Sequence, residues 1–280
     1  MRWGDGRESD NVEDRRGMPV GLAGGGIGAV VIVLIAMFFG VDPRALLQQV
    51  QQSAPTQQSV QQPAGQEDPM KKFVSVVLAD TEDTWRALFQ AAGRQYVDPK
   101  LVLFTGAVQS ACGFAQAAVG PFYCPGDQKV YIDLAFYREL RERFHAPGDF
   151  AQAYVIAHEV GHHVQNLLGI SDKVHAAQSH GPDSRANALS VRLELQADCL
   201  AGVWAYHADR ARHILEQGDV EQALNAAAQI GDDRMQMRAR GYVSPESFTH
   251  GSSEQRVHWF KTGMDTGSVK ACNTFGSGQV

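Results

Sequence analysis

The sequence has little cysteine and no surplus of positive charge, and each shortage excludes a class of function. Lysine and arginine number 25 against 31 aspartate and glutamate, which gives a formal net charge of −6. This balance offers no basic surface for nucleic acid. The four cysteines include no C-x-x-C pair, so none is a convincing zinc ligand. Nucleic-acid partners and a cysteine-ligated metal site are therefore not expected.

Long apolar runs are also rare, and the exception lies near the N-terminus. Residues 20–39 contain no charged side chain and are long enough to cross a hydrocarbon core of about 30 Å. We predict one transmembrane signal-anchor helix at residues 19–40. A cleaved signal peptide is the alternative, but no A-x-A-like cleavage site follows residue 39. More basic residues precede the run than follow it, so residues 1–18 are expected in the cytoplasm and the later chain outside the cytoplasmic membrane. Those before it are Arg2, Arg7, Arg15 and Arg16, and only Arg44 lies between the run and Lys71.

Residues 41–69 are rich in glutamine with proline, serine and alanine, which predicts a flexible tether. The remaining residues 70–280 suffice for one domain. All four cysteines lie in it, and an even number in an exported domain indicates two disulfides with three possible pairings. Cys112 and Cys124 flank a short extended region, so we pair these two, which leaves Cys199 with Cys272. Four reduced thiols in a cytosolic domain are the alternative.

The segment His158-Glu159-Val160-Gly161-His162 has the H-E-x-x-H pattern on a predicted helix at residues 150–168. Residues four apart share a helix face, so His158 and His162 can bind one ion while Glu159 reaches a water beside it. This arrangement is typical of zinc proteases, although two imidazoles without metal are the alternative. Gly161 costs the helix about 1 kcal/mol relative to alanine, so we expect another segment to approach closely there.

A later predicted helix, residues 184–210, supplies the third ligand that a catalytic zinc needs. Glu194 and Asp198 are four apart, and Glu194 lies among apolar neighbours where an unpaired charge is costly. We predict that Glu194 binds the metal and that Asp198 accepts the second ring N–H of a ligand histidine. A solvated helix face or an ion pair with Arg192 is the alternative.

The remaining periodicities predict a small sheet followed by many helices, an α+β organisation. Helix is also expected at residues 73–96 with a break near 80–83, and at residues 134–144, 220–230 and 254–261. Strands are expected at residues 101–104, 122–124 and 130–132.

These motifs resemble the bacterial putative neutral zinc metallopeptidase family, relatives of the gluzincin proteases with an H-E-x-x-H helix and a later E-x-x-x-D helix. The resemblance covers nearly the whole chain, and the proposed metal positions match the family pattern. It implies a mostly helical, zincin-like domain with one Zn²⁺ held by His158, His162 and Glu194, and Glu159 as general base. It also implies an edge strand for substrate within residues 110–123. The matching segments are residues 11–16, 110–113, 120–125, 157–163, 192–205 and 248–256.

The functional hypothesis is a membrane-anchored metallopeptidase that hydrolyses peptide bonds of a peptide or protein with zinc-activated water. Thr249-His250-Gly251-Ser252 with the later Arg256 resembles the H-P-x-x-x-x-R element of membrane-associated gluzincins, so His250 is our choice for stabilising the oxyanion. A loop or capping histidine is the alternative for His250; Tyr123 and Tyr242 are weaker candidates. His163 is expected to pack or hydrogen-bond instead. The rival functions are a catalytically silent zinc scaffold for exported or membrane proteins and a zinc amidohydrolase acting on cell-wall peptide.

Overall fold

The structure, a computed structural model, describes residues 1–18, 68–179 and 182–276. It is mostly helical with a small sheet, which confirms the α+β prediction. No helix within these ranges is long and apolar enough to cross a membrane. The predicted span at residues 19–40 and nearly all of the predicted tether lie outside the described residues.

Two small sheets carry the strands. β1 (Val12–Asp14), β2 (Lys100–Phe104), β6 (Lys129–Asp133) and β5 (Phe122–Cys124) lie side by side in this order. The first three are parallel, and β5 runs antiparallel to β6. β3 (Ala107–Ser110) and β4 (Gly113–Gln116) form a separate hairpin. β2 and β6 are nearly fully buried between their neighbours, whereas β5 is left as an edge.

Helices enclose the sheet on the side that bears the core. The helix at Asp149–Leu167 is buried along most of its length, and the helix at Asp183–Arg212 is buried in its middle, from Leu195 to Ala205. The helices are α1 (Pro69–Ala91), α2 (Ala135–Glu142), α3 (Asp149–Leu167), α4 (Ile170–Gln178), α5 (Asp183–Arg212), α6 (Asp219–Gln229), α7 (Asp232–Arg240) and α8 (Ser253–Thr266). The sequence predictions missed β1, the β3–β4 hairpin, α4 and α7.

The crossing of α5 and α8 depends on glycine. A Cβ on Gly263 would lie 1.9 Å from the carbonyl oxygen of Cys199, so only glycine permits this spacing. Cys199 is bonded to Cys272, and Cys112 is bonded to Cys124. Both predicted disulfide pairings are therefore confirmed.

The predicted break in the first helix is wrong, because α1 is continuous from Pro69 to Ala91. Polar residues in its middle are buried yet partnered. Asp80 accepts hydrogen bonds from Trp204 and Arg212 of α5. Glu82 is 1% exposed and accepts from Ser9 at 2.5 Å. Tertiary partners thus keep polar residues inside a helix where a local reading of the sequence favours a break.

Residues 1–16 pack on the domain instead of forming the separate segment that the sequence predicted. Met1–Arg16 and Asp68–Val280 belong to one compact unit. β1 is a parallel partner of β2, with Glu13 opposite Val102. Asn11 and Arg7 also contact the buried Glu82, at 2.8 and 3.0 Å. The N-terminal segment therefore supplies a strand and the partners of a buried carboxylate.

The arginines before the apolar run have structural partners, and this differs from their predicted role as topology signals. Arg16 lies 2.5 Å from Asp68, so the chain leaves and rejoins this unit at neighbouring points. The other ion pairs are Arg2–Glu216, Arg7–Glu82, Arg7–Asp83, Arg15–Glu13 and Arg16–Asp14.

Candidate metal centre and cleft

Three side chains from α3 and α5 converge on one point. His158 and His162 extend from one face of α3, and Glu194 extends from α5. The Nε2 atoms of the two histidines lie 3.1 and 3.3 Å from different oxygens of Glu194. Ligand atoms bound at about 2.1 Å to a tetrahedral ion lie roughly 3.4 Å apart. The spacing of this group therefore fits a single metal ion of zinc size.

Both histidines have their other ring nitrogen occupied, which leaves Nε2 free for a metal. His158 Nδ1 lies 2.8 Å from Asp198, as the sequence prediction required. His162 Nδ1 lies 2.9 Å from the side-chain oxygen of Gln165. An N–H donated from Nδ1 places the lone pair on Nε2. The donor set is thus two imidazole nitrogens and one carboxylate, a combination that suits zinc.

Asp198 is fully buried and connects the ligand histidine to α8. Arg256 donates to both of its oxygens, at 2.8 and 2.9 Å, and the Tyr154 hydroxyl donates at 2.5 Å. Burial alone would raise the pKa of Asp198, but the charge of Arg256 and the hydrogen bonds from His158 and Arg256 outweigh this and hold it at about 2. Asp198 therefore stays ionised and fixes the orientation of His158.

Glu159 is 7% exposed and lies beside the metal-ligand group. Among the described residues, no side chain or backbone group hydrogen-bonds its carboxylate, although it lines the cleft. Burial raises its pKa, partly opposed by the two histidines. A carboxylate in this position can accept a proton from a water molecule in the cleft.

Gly161 accounts for the close approach of the two helices that carry the ligands. A Cβ at this position would lie 2.9 Å from the carbonyl oxygen of Ala197 on α5. Alanine there would force α3 and α5 apart, and Glu194 would move with α5. The expected clearance at Gly161 is therefore present, and it brings the third ligand within reach.

The metal-ligand group opens into a cleft of about 470 Å³. Apolar residues line much of this cleft, and its polar lining includes Ser171 and His175 of α4. The apolar walls comprise Val119, Pro121, Phe122, Phe136, Phe144, Ile230 and Met235.

His250 enters the same cleft, from the loop between α7 and α8. Asp232 holds this loop: its carboxylate accepts the backbone N–H groups of His250 and its two neighbours, at 2.6 to 3.1 Å. His250 Nδ1 lies 3.1 Å from the same carboxylate. This hydrogen bond raises the pKa of His250 against the effect of burial, with a further contribution from Glu194.

Two predicted sites lie elsewhere. Tyr242 is 59% exposed and does not line the cleft. The stretch expected as a substrate strand is divided, because residues 107–116 form the hairpin and only β5 borders the cleft as an edge of the main sheet. A short 3-10 turn at Ala117–Val119 lies between the hairpin and β5, and the disulfide from Cys112 to Cys124 ties the hairpin turn to β5.

Comparison with known proteins identifies the chain. The sequence pattern of the putative neutral zinc metallopeptidase family matches residues 1–275. The chain belongs to this family. The resemblance read from the motifs is thereby confirmed, and the match includes the N-terminal segment that packs on the domain.

Two proteins of similar length share much of this sequence. An uncharacterized protein, YpfJ, of Escherichia coli strain K12 is 50% identical over 287 residues, which covers 99% of each chain. An uncharacterized protein, Rv2575, of Mycobacterium tuberculosis strain H37Rv is 39% identical over 260 residues, which covers 88% of this chain and 86% of that protein. No solved structure matches.

The sequence predictions missed three residues of this site, Gln165, Tyr154 and Asp232, and they did not identify Asp198 as the partner of Arg256. Gln165 carried a local signal, since it lies three residues after His162 and shares its helix face. Tyr154 likewise lies four residues before His158. No local sequence signal indicates the contacts of Asp232 and Arg256, because their partners are distant in the chain.

Proposed function

We propose that this protein is a zinc-dependent peptidase with a zincin-like active site. One observation carries the proposal: Glu159 is buried beside a three-ligand group, yet none of the described residues hydrogen-bonds its carboxylate. A structural metal site needs no such base and has four protein ligands. The unpartnered carboxylate therefore favours hydrolysis over a catalytically silent scaffold.

The roles of the side chains follow from their positions. A zinc ion held by His158, His162 and Glu194 would polarise the substrate carbonyl and acidify water. Glu159 accepts a proton from the attacking water and returns it to the leaving amine. His250 donates a hydrogen bond to the oxygen that becomes negatively charged. Asp198 keeps His158 in the tautomer that presents Nε2.

The shape of the cleft supports a polypeptide substrate. β5 leaves one edge without a partner strand among the described residues, and Phe122 and Tyr123 of β5 line the cleft. An extended peptide can add to such an edge through main-chain hydrogen bonds. Amide hydrolysis of cell-wall peptide uses the same chemistry, but an exposed strand edge favours an extended chain.

Hydrolysis by the full chain tests the proposal. We expect purified protein with one equivalent of zinc to cleave unfolded polypeptides. A chelator should abolish cleavage, and added zinc should restore it. A zinc-loaded, folded protein that cleaves neither a broad peptide library nor an unfolded protein would contradict the proposed function.

The pH profile tests the role of His250. Its Nδ1 faces the Asp232 carboxylate, so Nε2 can donate only when the ring is protonated. Asp232 raises the pKa of His250, burial and Arg256 lower it, and Glu194 raises it. We therefore expect kcat to be high below this raised pKa and to fall as the pH rises through it.

Asp232→Asn provides the comparison for that profile. Asparagine keeps an acceptor for the backbone N–H groups of the loop but removes the charge. The alkaline fall in kcat should then move to lower pH, whereas His250→Gln should lower kcat on the order of 100-fold below the pKa of His250 and should remove the alkaline fall. An alkaline limb that stays in place in Asp232→Asn would rule out His250 as the titrating group.

We also propose that residues 20–39 attach the protein to the cytoplasmic membrane, with residues 1–16 and the domain together on its outer side. The two disulfides support an oxidising compartment. The contact between Arg16 and Asp68 supports a common side for both parts.

Cysteine labelling in intact cells tests this arrangement. All four native cysteines are paired in disulfides, so a new cysteine is the only thiol available to a membrane-impermeant maleimide. We expect Glu8→Cys and Lys173→Cys, both at exposed positions, to be labelled equally. Labelling of one position without the other would establish a single crossing and contradict the proposal.

A further inference from the structure

His163 is a fully buried histidine that follows His162, and no step proposed above uses it. Its Nε2 lies 2.6 Å from the carbonyl oxygen of Val97, and its Nδ1 lies 3.0 Å from the Tyr123 hydroxyl. A carbonyl oxygen only accepts hydrogen bonds, so Nε2 carries the proton. Nδ1 is therefore the acceptor, and the Tyr123 hydroxyl donates to it.

The Tyr123 hydroxyl uses its only proton in a hydrogen bond within the protein. It donates to His163 and accepts from the side-chain amide of Asn166 at 3.1 Å. His163 and Asn166 are three residues apart and share one face of α3. The hydroxyl thus ties β5 to α3, and it is not free to stabilise an oxyanion as the sequence had suggested.

This tie supplements two other restraints on β5. β6 pairs with its inner edge, with Tyr123 opposite Val130. Cys124 is held by the disulfide to Cys112. β6 itself contacts α3, so its pairing keeps β5 near the helix, and the contacts of Tyr123 add a direct polar link between β5 and α3. The distance between the outer edge of β5 and the metal-ligand group therefore depends in part on His163 and Asn166.

We propose that His163 is a positioning residue that sets the distance between the outer edge of β5 and the metal-ligand group, and so the register of an extended polypeptide substrate. His163 has this role only if the cleft is the peptidase site proposed above. A substrate paired with β5 reacts well only when its scissile carbonyl reaches the metal-ligand group in the same register. His163 directly follows the ligand His162 on α3 and contacts Tyr123 of β5. A shift of β5 relative to α3 therefore changes the distance between β5 and the metal-ligand group.

Tyr123→Phe tests the proposal because it removes one oxygen atom and keeps the ring. We expect the KM of a peptide of about ten residues to rise roughly three- to tenfold, with kcat changed less than about twofold. Cleavage of a blocked dipeptide, which is too short to pair along β5, should change clearly less. Zinc content should stay the same.

Tyr96→Phe is the matched control. Its ring packs edge-on against His163 at 5.7 Å, but its buried hydroxyl has no hydrogen-bond partner within the described parts of the chain. A second pair of variants tests His163 itself: His163→Leu should reproduce the KM increase, and His163→Gln, which keeps a donor and an acceptor, should recover part of it.

The outcomes separate this proposal from the peptidase proposal. If the unchanged protein cleaves no peptide, both are wrong. If it cleaves peptides but Tyr123→Phe behaves like Tyr96→Phe, the positioning role alone is wrong. The same holds if Tyr123→Phe lowers kcat equally for long and short substrates, since that result indicates a general structural loss.

Discussion

Glu159→Gln is expected to lower kcat on the order of a thousandfold while zinc binding and folding remain unchanged. Glutamine has the size of glutamate but cannot take a proton from water. No protein hydrogen bond to this carboxylate is lost, because none of the described residues makes one. The measurement is peptide hydrolysis by protein matched for zinc content, with thermal unfolding recorded on the same samples.

Glu142→Gln serves as the control for this change. Glu142 is 63% exposed at the end of α2, where it pairs loosely with Arg141. We expect that variant to keep full activity. Retention of more than about a tenth of the activity by Glu159→Gln would exclude Glu159 as the general base.

Asp198→Ala is expected to destabilise the fold by about 3–5 kcal/mol, because it leaves a buried guanidinium without its partner. Arg256 is 3% exposed and donates two hydrogen bonds to this carboxylate. His158 and Tyr154 lose an acceptor at the same time. Zinc affinity should fall about 10- to 100-fold, since His158 is no longer held in its tautomer. Urea unfolding of the metal-free protein and zinc titration measure the two effects.

The double variant Asp198→Ala/Arg256→Met separates stability from metal binding. Removing both charges relieves the unpaired guanidinium, so part of the lost free energy of unfolding should return. Zinc affinity should stay low, because the acceptor of His158 is still absent. A double variant that recovers zinc affinity together with stability would contradict the orienting role of Asp198.

The local part of the site could be predicted from the sequence, because helix geometry alone decides it. His158 and His162 are four apart, as are Glu194 and Asp198, so each pair shares a helix face. That α3 and α5 would pack together was only implied by the need for a third ligand. Gly161 was the single local sign of this contact, because a Cβ there would lie 2.9 Å from the carbonyl oxygen of Ala197 on α5.

Long-range partners limited the prediction elsewhere. Polar residues in α1 indicate a break when read locally, but Glu82 is buried because Ser9 and Asn11 lie across from it. The same segment carries arginines with two interpretations. Arg7 and Arg16 count as positive-inside signals in the sequence, whereas the structure pairs them with Glu82 and Asp68. β1 was missed because three residues with two acids carry no strand pattern of their own.

Zinc content of the purified full chain tests the central claim most directly. Mass spectrometry under native conditions should find one zinc ion per chain in the unchanged protein. Glu194→Ala, which removes one of the three donors, should lose it at the same free zinc concentration. A folded protein that binds no stoichiometric zinc, or an unchanged zinc content after Glu194→Ala, would contradict the assignment of His158, His162 and Glu194 as the metal centre.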